Sequence, residues 1–179
     1  MAPDPNQIPA PMITEEQLQE RVAVMARQVV DLVGPQPILV SLLKGAFMFT
    51  ADLLRELGRI GAKPHLDFMR VSSYGSGTVS SGQVEVLLDI KEDIRGKSVV
   101  VVDDILDTGN TLKAVSDLLK SKGASQVRSC MLLDKPARRT ADVTPDIVGF
   151  EIPDAFVVGY GIDWDNRFRE LPYVGVVKE

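Results

Sequence analysis

Apolar residues recur along the chain at two spacings, one typical of helices and one typical of buried strands. Helical spacing predicts a first helix that opens at the capping-box sequence Thr14 to Gln17 and reaches Gly34. The same spacing predicts a second helix from Phe47 to Leu57 and a third that ends near Gly123.

Short apolar runs between these helices predict the strands. They cover residues 37–43, 65–72, 84–88, 99–102, 126–133, 147–150 and 156–160. Val99 to Val102 are four consecutive β-branched residues, which is typical of a strand buried on both faces. The alternation of strands with helices indicates an α/β fold with a mainly parallel sheet.

The composition fits one globular domain. The chain has 179 residues, of which 45% are hydrophobic, and a formal charge of −5, which argues against nucleic acid as a partner. No apolar run reaches the roughly 20 residues that a membrane helix needs. The Pro-rich residues 1–12 are expected to be a flexible tail before a single domain at 13–179. The one cysteine, Cys130, is expected to be an inert core thiol and fits a cytoplasmic protein.

Three acids and a glycine turn follow the valine run. Asp103 and Asp104 come directly after it, and Asp107 precedes the small residues Thr108 to Thr111. A glycine turn that leads into a helix suits a phosphate, and neighbouring carboxylates suit ribose hydroxyls or magnesium. A simpler interpretation is that the acids end a strand and that Thr108 or Asn110 caps a helix. It leaves unexplained why three acids cluster where open α/β sheets bind ligands.

The stretch from Val99 to Thr111 resembles the phosphoribosyl-pyrophosphate (PRPP) motif of type I phosphoribosyltransferases. Further pieces resemble, in order, the bacterial hypoxanthine–guanine phosphoribosyltransferases. They are Leu42-Leu43-Lys44-Gly45, Ser73-Tyr74, Leu133-Asp134-Lys135-Pro136, and the run from Gly149 to Arg169. Trp164 stands where tyrosine is expected. The resemblance implies the type I fold, a twisted sheet flanked by helices with a small hood built from terminal segments.

The resemblance also implies the reaction and the site. A purine salvage enzyme of this kind joins hypoxanthine or guanine to the 5-phosphoribosyl group of PRPP, giving IMP or GMP and pyrophosphate. Asp107 is then the general base. The implied substrate-binding residues are Lys44, Gly45, Ser73, Tyr74, Asp103, Asp104, Ile105, Asp107, Thr108, Gly109, Asn110, Thr111, Lys135, Phe156, Val157, Asp163 and Arg169.

Family roles divide these residues among the parts of the substrates. Asp103, Asp104 and Asp163 are implied to hold Mg²⁺, and residues 107–111 to cradle the 5-phosphate. Lys135 is implied to read the purine 6-oxygen, with Phe156 stacking on the ring and Val157 touching it through its backbone. Lys44, Gly45 and Arg169 are implied to hold pyrophosphate, in a family where the Leu43–Lys44 peptide is often cis. A homodimer or homotetramer is expected.

Two segments have plainer interpretations. Lys135, Arg138 and Arg139 follow a strand, and cations in such a place are usually a solvated turn. The Gly/Ser-rich residues 73–82 fit a flexible hairpin loop as well as a mobile lid over the substrate.

Two other classes of function stay open. A regulatory RNA-binding protein of the pyrimidine-operon attenuator type reuses the same fold, but it usually has an aromatic residue where this chain has Asp107, and it needs a basic face. A phosphate-sensing, receiver-like module would not require Lys135, Asp163 and Arg169 in their family context. A P-loop kinase is excluded because the chain lacks the Gly-x-x-x-x-Gly-Lys-Ser/Thr sequence.

Overall fold

The computed structural model describes residues 9–73 and 84–177. These residues form a six-stranded sheet, a three-stranded sheet and three α-helices. The elements in chain order are β1 Ala10–Ile13, α1 Glu15–Val33, β2 Ile38–Leu42, α2 Phe47–Arg59, β3 His65–Ser73, β4 Val84–Leu88, β5 Ser98–Leu106, α3 Asn110–Ser121, β6 Gln126–Asp134, β7 Ile147–Glu151, β8 Val157–Val158 and β9 Val174–Val176. None of the described helices has the length and apolarity that crossing a membrane requires.

The predicted start of α1 is confirmed in detail. Thr14 Oγ1 accepts a hydrogen bond from the Gln17 backbone N–H at 3.3 Å, and Gln17 Oε1 accepts one from the Thr14 N–H at 2.9 Å. This reciprocal capping box satisfies donors that no earlier turn of helix could pair.

The larger sheet has the strand order β4-β3-β2-β5-β6-β7. All its neighbouring pairs are parallel except β3–β4, so the predicted mainly parallel sheet is confirmed. The chain runs outwards from β2 to β3 and then returns to β5 on the other side of β2. The carboxyl ends of β2 and β5 therefore flank the point where the strand order reverses, which is where open α/β sheets bind ligands.

Each face of this sheet is covered by helices, because its central strands are apolar on both sides. On one face Val100, Val102 and Leu39 join a core with α1 and α2. On the other face Val99 and Val101 pack with residues of α3. Cys130 lies fully buried in the first core, and burial raises the pKa of its thiol to about 12. The expected position of Cys130 in the core is therefore confirmed.

Both ends of the described chain meet in the smaller sheet, which has the order β1-β9-β8. Its strands pair antiparallel, and the Tyr173 hydroxyl donates to the Pro9 carbonyl at 3.0 Å. Residues 10–12, expected in a loose tail, are instead part of a strand. The Pro-rich composition did not reveal this pairing because the partner strand comes from the far end of the chain. Residues 1–8 lie outside the described part.

Strand β5 is longer than the valine run predicted. It continues to Leu106, so Asp103 and Asp104 lie within the strand rather than after it. The extension is held by β6, where Ile105 pairs with Leu133 and Leu106 with Asp134. Ladder hydrogen bonds from a neighbouring strand override the low strand propensity of aspartate.

Candidate active site

A tight turn joins β5 to α3 at the carboxyl edge of the sheet. Gly109 has a φ of +86°, and a Cβ there would lie only 2.6 Å from Val143 Cγ2. Glycine is required because it adopts this left-handed backbone and has no side chain. Helix α3 begins at Asn110, and the first N–H groups of a helix have no intrahelical acceptors. The turn therefore presents donors that suit a phosphate group.

Asp103 and Asp104 place two carboxylates beside this turn. Asp103 Oδ1 accepts from the Asp104 N–H at 2.9 Å, and Asp104 Oδ1 accepts from the Ile105 N–H at 2.7 Å. Burial, and then the charge of Asp104, raise the pKa of Asp103 well above its ordinary value. Burial also raises the pKa of Asp104, against the opposing effect of its hydrogen bonds and of Arg169. A bound cation would offset this repulsion, so the pair fits a hard metal ion such as Mg²⁺.

The loop after β2 touches Asp104 directly. A Cβ placed on Gly45 would lie 1.7 Å from Asp104 Oδ2, so a residue with a side chain does not fit there while the carboxylate keeps its place. The Leu43–Lys44 peptide that leads into this contact is cis, as the resemblance implied. Strands β2 and β5 are parallel neighbours, and this pairing brings Lys44 and Gly45 beside the acids.

The segment between β8 and β9 packs against Gly45 through Gly161. Gly161 has a φ of +97°, and a Cβ there would lie 2.4 Å from the Gly45 carbonyl oxygen. Arg169 Nη1 donates to the Gly161 carbonyl at 2.7 Å, and its Nη2 lies 2.8 Å from Asp163 Oδ1. These contacts bring Arg169 close enough to Asp104 to influence its pKa.

A cleft of about 470 Å³ opens next to the turn. Its lining includes Ile105, Asp107, Lys135, Arg138, Asp154, Phe156, Val157 and Asp163. Lys135 is 8% exposed, and within residues 9–73 and 84–177 it forms no ion pair. Since an ammonium group only donates hydrogen bonds and Lys135 lines the cleft, the cleft suits a ligand with hydrogen-bond acceptors. Phe156 is 48% exposed and offers an aromatic face.

Asp107 stands where the turn and the cleft meet. Its Oδ1 lies 2.7 Å from Arg138 Nε, yet this oxygen accepts no hydrogen bond from any residue that the structure describes. Arg138 also reaches Asp154, at 3.4 Å between Nη1 and Oδ1. The Asp107 carboxylate therefore lines the cleft as the partner of Arg138 in an ion pair.

Arg139 does not fit the solvated turn that the sequence suggested. Its side chain is 16% exposed and forms an ion pair with Asp134. Arg139 Nε also donates to the Asp107 carbonyl at 3.1 Å. Sequence reasoning missed this role because a basic pair after a strand has no local signal of burial. Arg138 was also interpreted as a solvated cation, although its side chain lines the cleft.

The predicted site residues of the described part lie in loops and strand ends of this edge. Asp163 forms no common metal-ligand cluster with Asp103 and Asp104, since no group of three metal-binding side chains occurs among the described residues. Ser73 ends β3, and Tyr74 lies outside the described part together with the rest of the predicted lid, residues 75–82.

Comparison with known proteins agrees with this arrangement. The model of the phosphoribosyl transferase domain family matches residues 13–165. The hypoxanthine phosphoribosyltransferase of Salmonella typhimurium is 49% identical over 170 residues, covering 93% of each chain. This chain belongs to the hypoxanthine phosphoribosyltransferase family.

Two other members of this hypoxanthine phosphoribosyltransferase family match along most of their length. The hypoxanthine-guanine phosphoribosyltransferase of Bacillus subtilis is 42% identical over 168 residues, 93% of this chain and 92% of that protein. A crystal structure of the Bacillus anthracis hypoxanthine-guanine phosphoribosyltransferase is 43% identical, with a TM-score of 0.90 over 96% of this chain and 100% of its own. The predicted family, fold and enzyme class are confirmed, and an RNA-binding regulator or a phosphate sensor is not favoured.

Proposed function

We propose that this protein is a purine salvage enzyme that transfers the 5-phosphoribosyl group from PRPP to hypoxanthine and guanine, giving IMP or GMP and pyrophosphate. The observation that carries the proposal is the cleft that adjoins a phosphate-type turn and an acidic pair and is lined by Lys135, which forms no ion pair with any described residue. One edge of the sheet thereby offers places for a base, a ribose and a phosphate.

The turn and the acidic pair bind the ribose 5-phosphate half of PRPP. Backbone N–H groups of residues 107–111 donate to the 5-phosphate, with Gly109 allowing close approach. Asp103 and Asp104 accept from the ribose hydroxyls and are the residues that would hold Mg²⁺, which would supply positive charge for a pyrophosphate leaving group. Their negative charge also stabilises the positive charge that develops on the sugar as the bond to pyrophosphate breaks.

The loop after β2 and the residues around Arg169 hold the pyrophosphate. Lys44 and Arg169 supply positive charge, and the Gly45 backbone can approach the anion because no side chain intervenes. Asp163 orients Arg169 through their 2.8 Å ion pair and is the proposed second magnesium ligand.

The cleft binds the purine. Lys135 donates to the 6-oxygen, Phe156 stacks on the ring, and Ile105 and Val157 contact the base. Asp107 acts as general base at purine N7, because its carboxylate lines the cleft next to the turn.

The proposed function also includes a cover for the reacting centre, a cellular location and an oligomeric state. We propose that residues 73–82 cover the reacting centre and exclude water, which would otherwise hydrolyse the activated sugar. We also propose that the enzyme is cytoplasmic and works as a homodimer or homotetramer.

The test compares a 6-oxopurine with a 6-aminopurine in the wild-type protein and in Lys135→Ala. An ammonium group only donates hydrogen bonds, so it pairs with the oxygen of hypoxanthine and not with the amino group of adenine. Wild type should use hypoxanthine with PRPP and Mg²⁺ and discriminate against adenine by up to about 10⁴–10⁵-fold in kcat/KM. Lys135→Ala should shrink that ratio while PRPP binding changes little.

Lys120→Ala serves as the control, because Lys120 is an exposed lysine on α3 that contacts no part of the cleft. It should keep the wild-type ratio. A ratio that is unchanged in Lys135→Ala would show that Lys135 does not read the base. Absence of PRPP-dependent nucleotide formation by the wild-type protein would refute the function itself.

A further inference from the structure

Two backbone carbonyl groups of the turn at residues 107–111, the phosphate turn, accept hydrogen bonds from residues 139–141. The Asp107 carbonyl accepts from Arg139 Nε at 3.1 Å. The Thr108 carbonyl accepts from the backbone N–H groups of Thr140 and Ala141, each at 3.0 Å. Because each peptide plane joins a carbonyl to the next N–H, these bonds also set the direction of the N–H groups on the other side of the turn.

Arg139 touches the turn a second time beneath Gly109. A Cβ on Gly109 would lie 2.9 Å from Arg139 Cδ, so the aliphatic part of the arginine packs against the glycine backbone. The guanidinium continues past the turn to the carboxylate of Asp134 at the end of β6. Arg139 therefore contacts the turn through both its stem and its head group.

The positive charge of Arg139 is balanced by the carboxylate of Asp134. Both partners of the ion pair are largely shielded from water, with side-chain exposures of 16% for Arg139 and 12% for Asp134. A largely buried ion pair of this kind rarely raises stability beyond what apolar residues would give. The planar guanidinium of Arg139 does, however, fix the Asp107 carbonyl and the Asp134 carboxylate relative to one another, which a lysine could not do.

We propose that Arg139 is a positioning residue that holds the phosphate turn in the geometry that binds the 5-phosphate of PRPP and of the nucleotide product. This inference rests on the proposed function, and it assigns Arg139 no contact with the substrate. A misplacement of about 1 Å in such a site reduces the reaction by about 10²-fold.

The test uses Arg139→Lys and Arg139→Met in the full-length protein. Lysine keeps a charge for Asp134 but cannot reach the Asp107 carbonyl with a second donor, so the test holds even if Arg139→Met folds poorly. Both variants should raise the KM for PRPP and the Kd for IMP about tenfold or more. The Kd for inosine, which has the same base and ribose but no phosphate, should change less than threefold.

Arg128→Met is the matched control, because Arg128 also pairs with a carboxylate, Asp146 at 2.9 Å, but does not contact the turn. It should bind PRPP and IMP as the wild type does. The inference is overturned if folded Arg139→Lys binds IMP within twofold of wild type, or if IMP and inosine weaken equally. Wild-type protein that forms no nucleotide from PRPP would refute the proposed function instead, so the two failures are distinguishable.

Discussion

Single residues in this site are constrained by how closely backbone and carboxylate approach each other. Gly45 lies against Asp104, and Gly161 lies against Gly45, so three separate segments meet with no room for a side chain. Space requires glycine at both positions, and at Gly161 the φ of +97° requires it by backbone conformation as well. The acidic pair is held in place by these neighbours as much as by its own strand.

Gly45→Ala should displace the Asp104 carboxylate, because the new Cβ would lie 1.7 Å from Asp104 Oδ2. We expect kcat/KM for PRPP to fall about 100-fold, the usual effect of misplacing a binding group by about 1 Å. Gly58→Ala in α2 is the control, since nothing lies within 4 Å of its Cβ position. That control should keep full activity and stabilise the fold by about 0.5–1 kcal/mol. Equal kinetics of the two variants would contradict the close contact.

Asp107→Asn should remove the proposed base while leaving the turn intact. The Asp107 backbone carbonyl keeps its bond to Arg139, so PRPP binding should change little. Turnover should fall by roughly 10²–10⁴-fold, as is typical when a general base is lost. Single-turnover kinetics would measure the chemical step apart from product release. A variant with near-normal chemistry would leave Asp107 without a catalytic role.

At the scale of elements, local sequence sets where some helices and strands begin or end, and tertiary pairing sets others. Helix α1 begins where its capping box predicts, because both partners of the cap lie within four residues. Strand β5 instead extends four residues past its valine run, because β6 supplies the ladder partners. An element end that depends on a neighbour is not visible in the element's own sequence.

Thr14→Ala should destabilise the protein by about 0.5–2 kcal/mol, since the Gln17 N–H loses its acceptor at the start of α1. Thr14→Ser keeps the hydroxyl and should retain most of the stability. Urea denaturation monitored by circular dichroism gives the comparison. Activity at low temperature should be unaffected in both variants, because the cap touches no residue of the site.

At the scale of the whole molecule, the smaller sheet joins the two ends of the described part of the chain to the main core. Ile13 at the end of β1 is 5% exposed and belongs to the same core cluster as α1, α2 and one face of the large sheet. The segment that carries Gly161 and Arg169 runs between β8 and β9 of the smaller sheet. The position of the proposed pyrophosphate site therefore depends on a strand from the beginning of the chain.

Ile13→Ala should cost about 2–5 kcal/mol of unfolding free energy, because it leaves a cavity in this shared core. Val24→Ala removes an apolar side chain of α1 that is 38% exposed, and should cost about 0.5 kcal/mol or less. Denaturant midpoints of the two variants give the measurement. Similar midpoints would show that β1 is not part of the cooperative core.

The sequence by itself determined the α/β class, the family, the helices and the phosphate turn. Each depends on local information: the spacing of apolar residues, a capping box within four residues, or a glycine between a strand and a helix. The family motifs also indicated Lys44, Lys135, Asp163 and Arg169 as candidates.

Only the tertiary structure decided which of these segments meet. The pairing of β2 with β5 brings Gly45 against Asp104, and the pairing of β1 with β9 turns an apparent tail into a strand. It also buried Arg139 behind the turn, although its sequence neighbourhood is typical of an exposed basic loop. Such contacts join residues far apart in the chain, and their free energy comes from packing and pairing that no local pattern encodes.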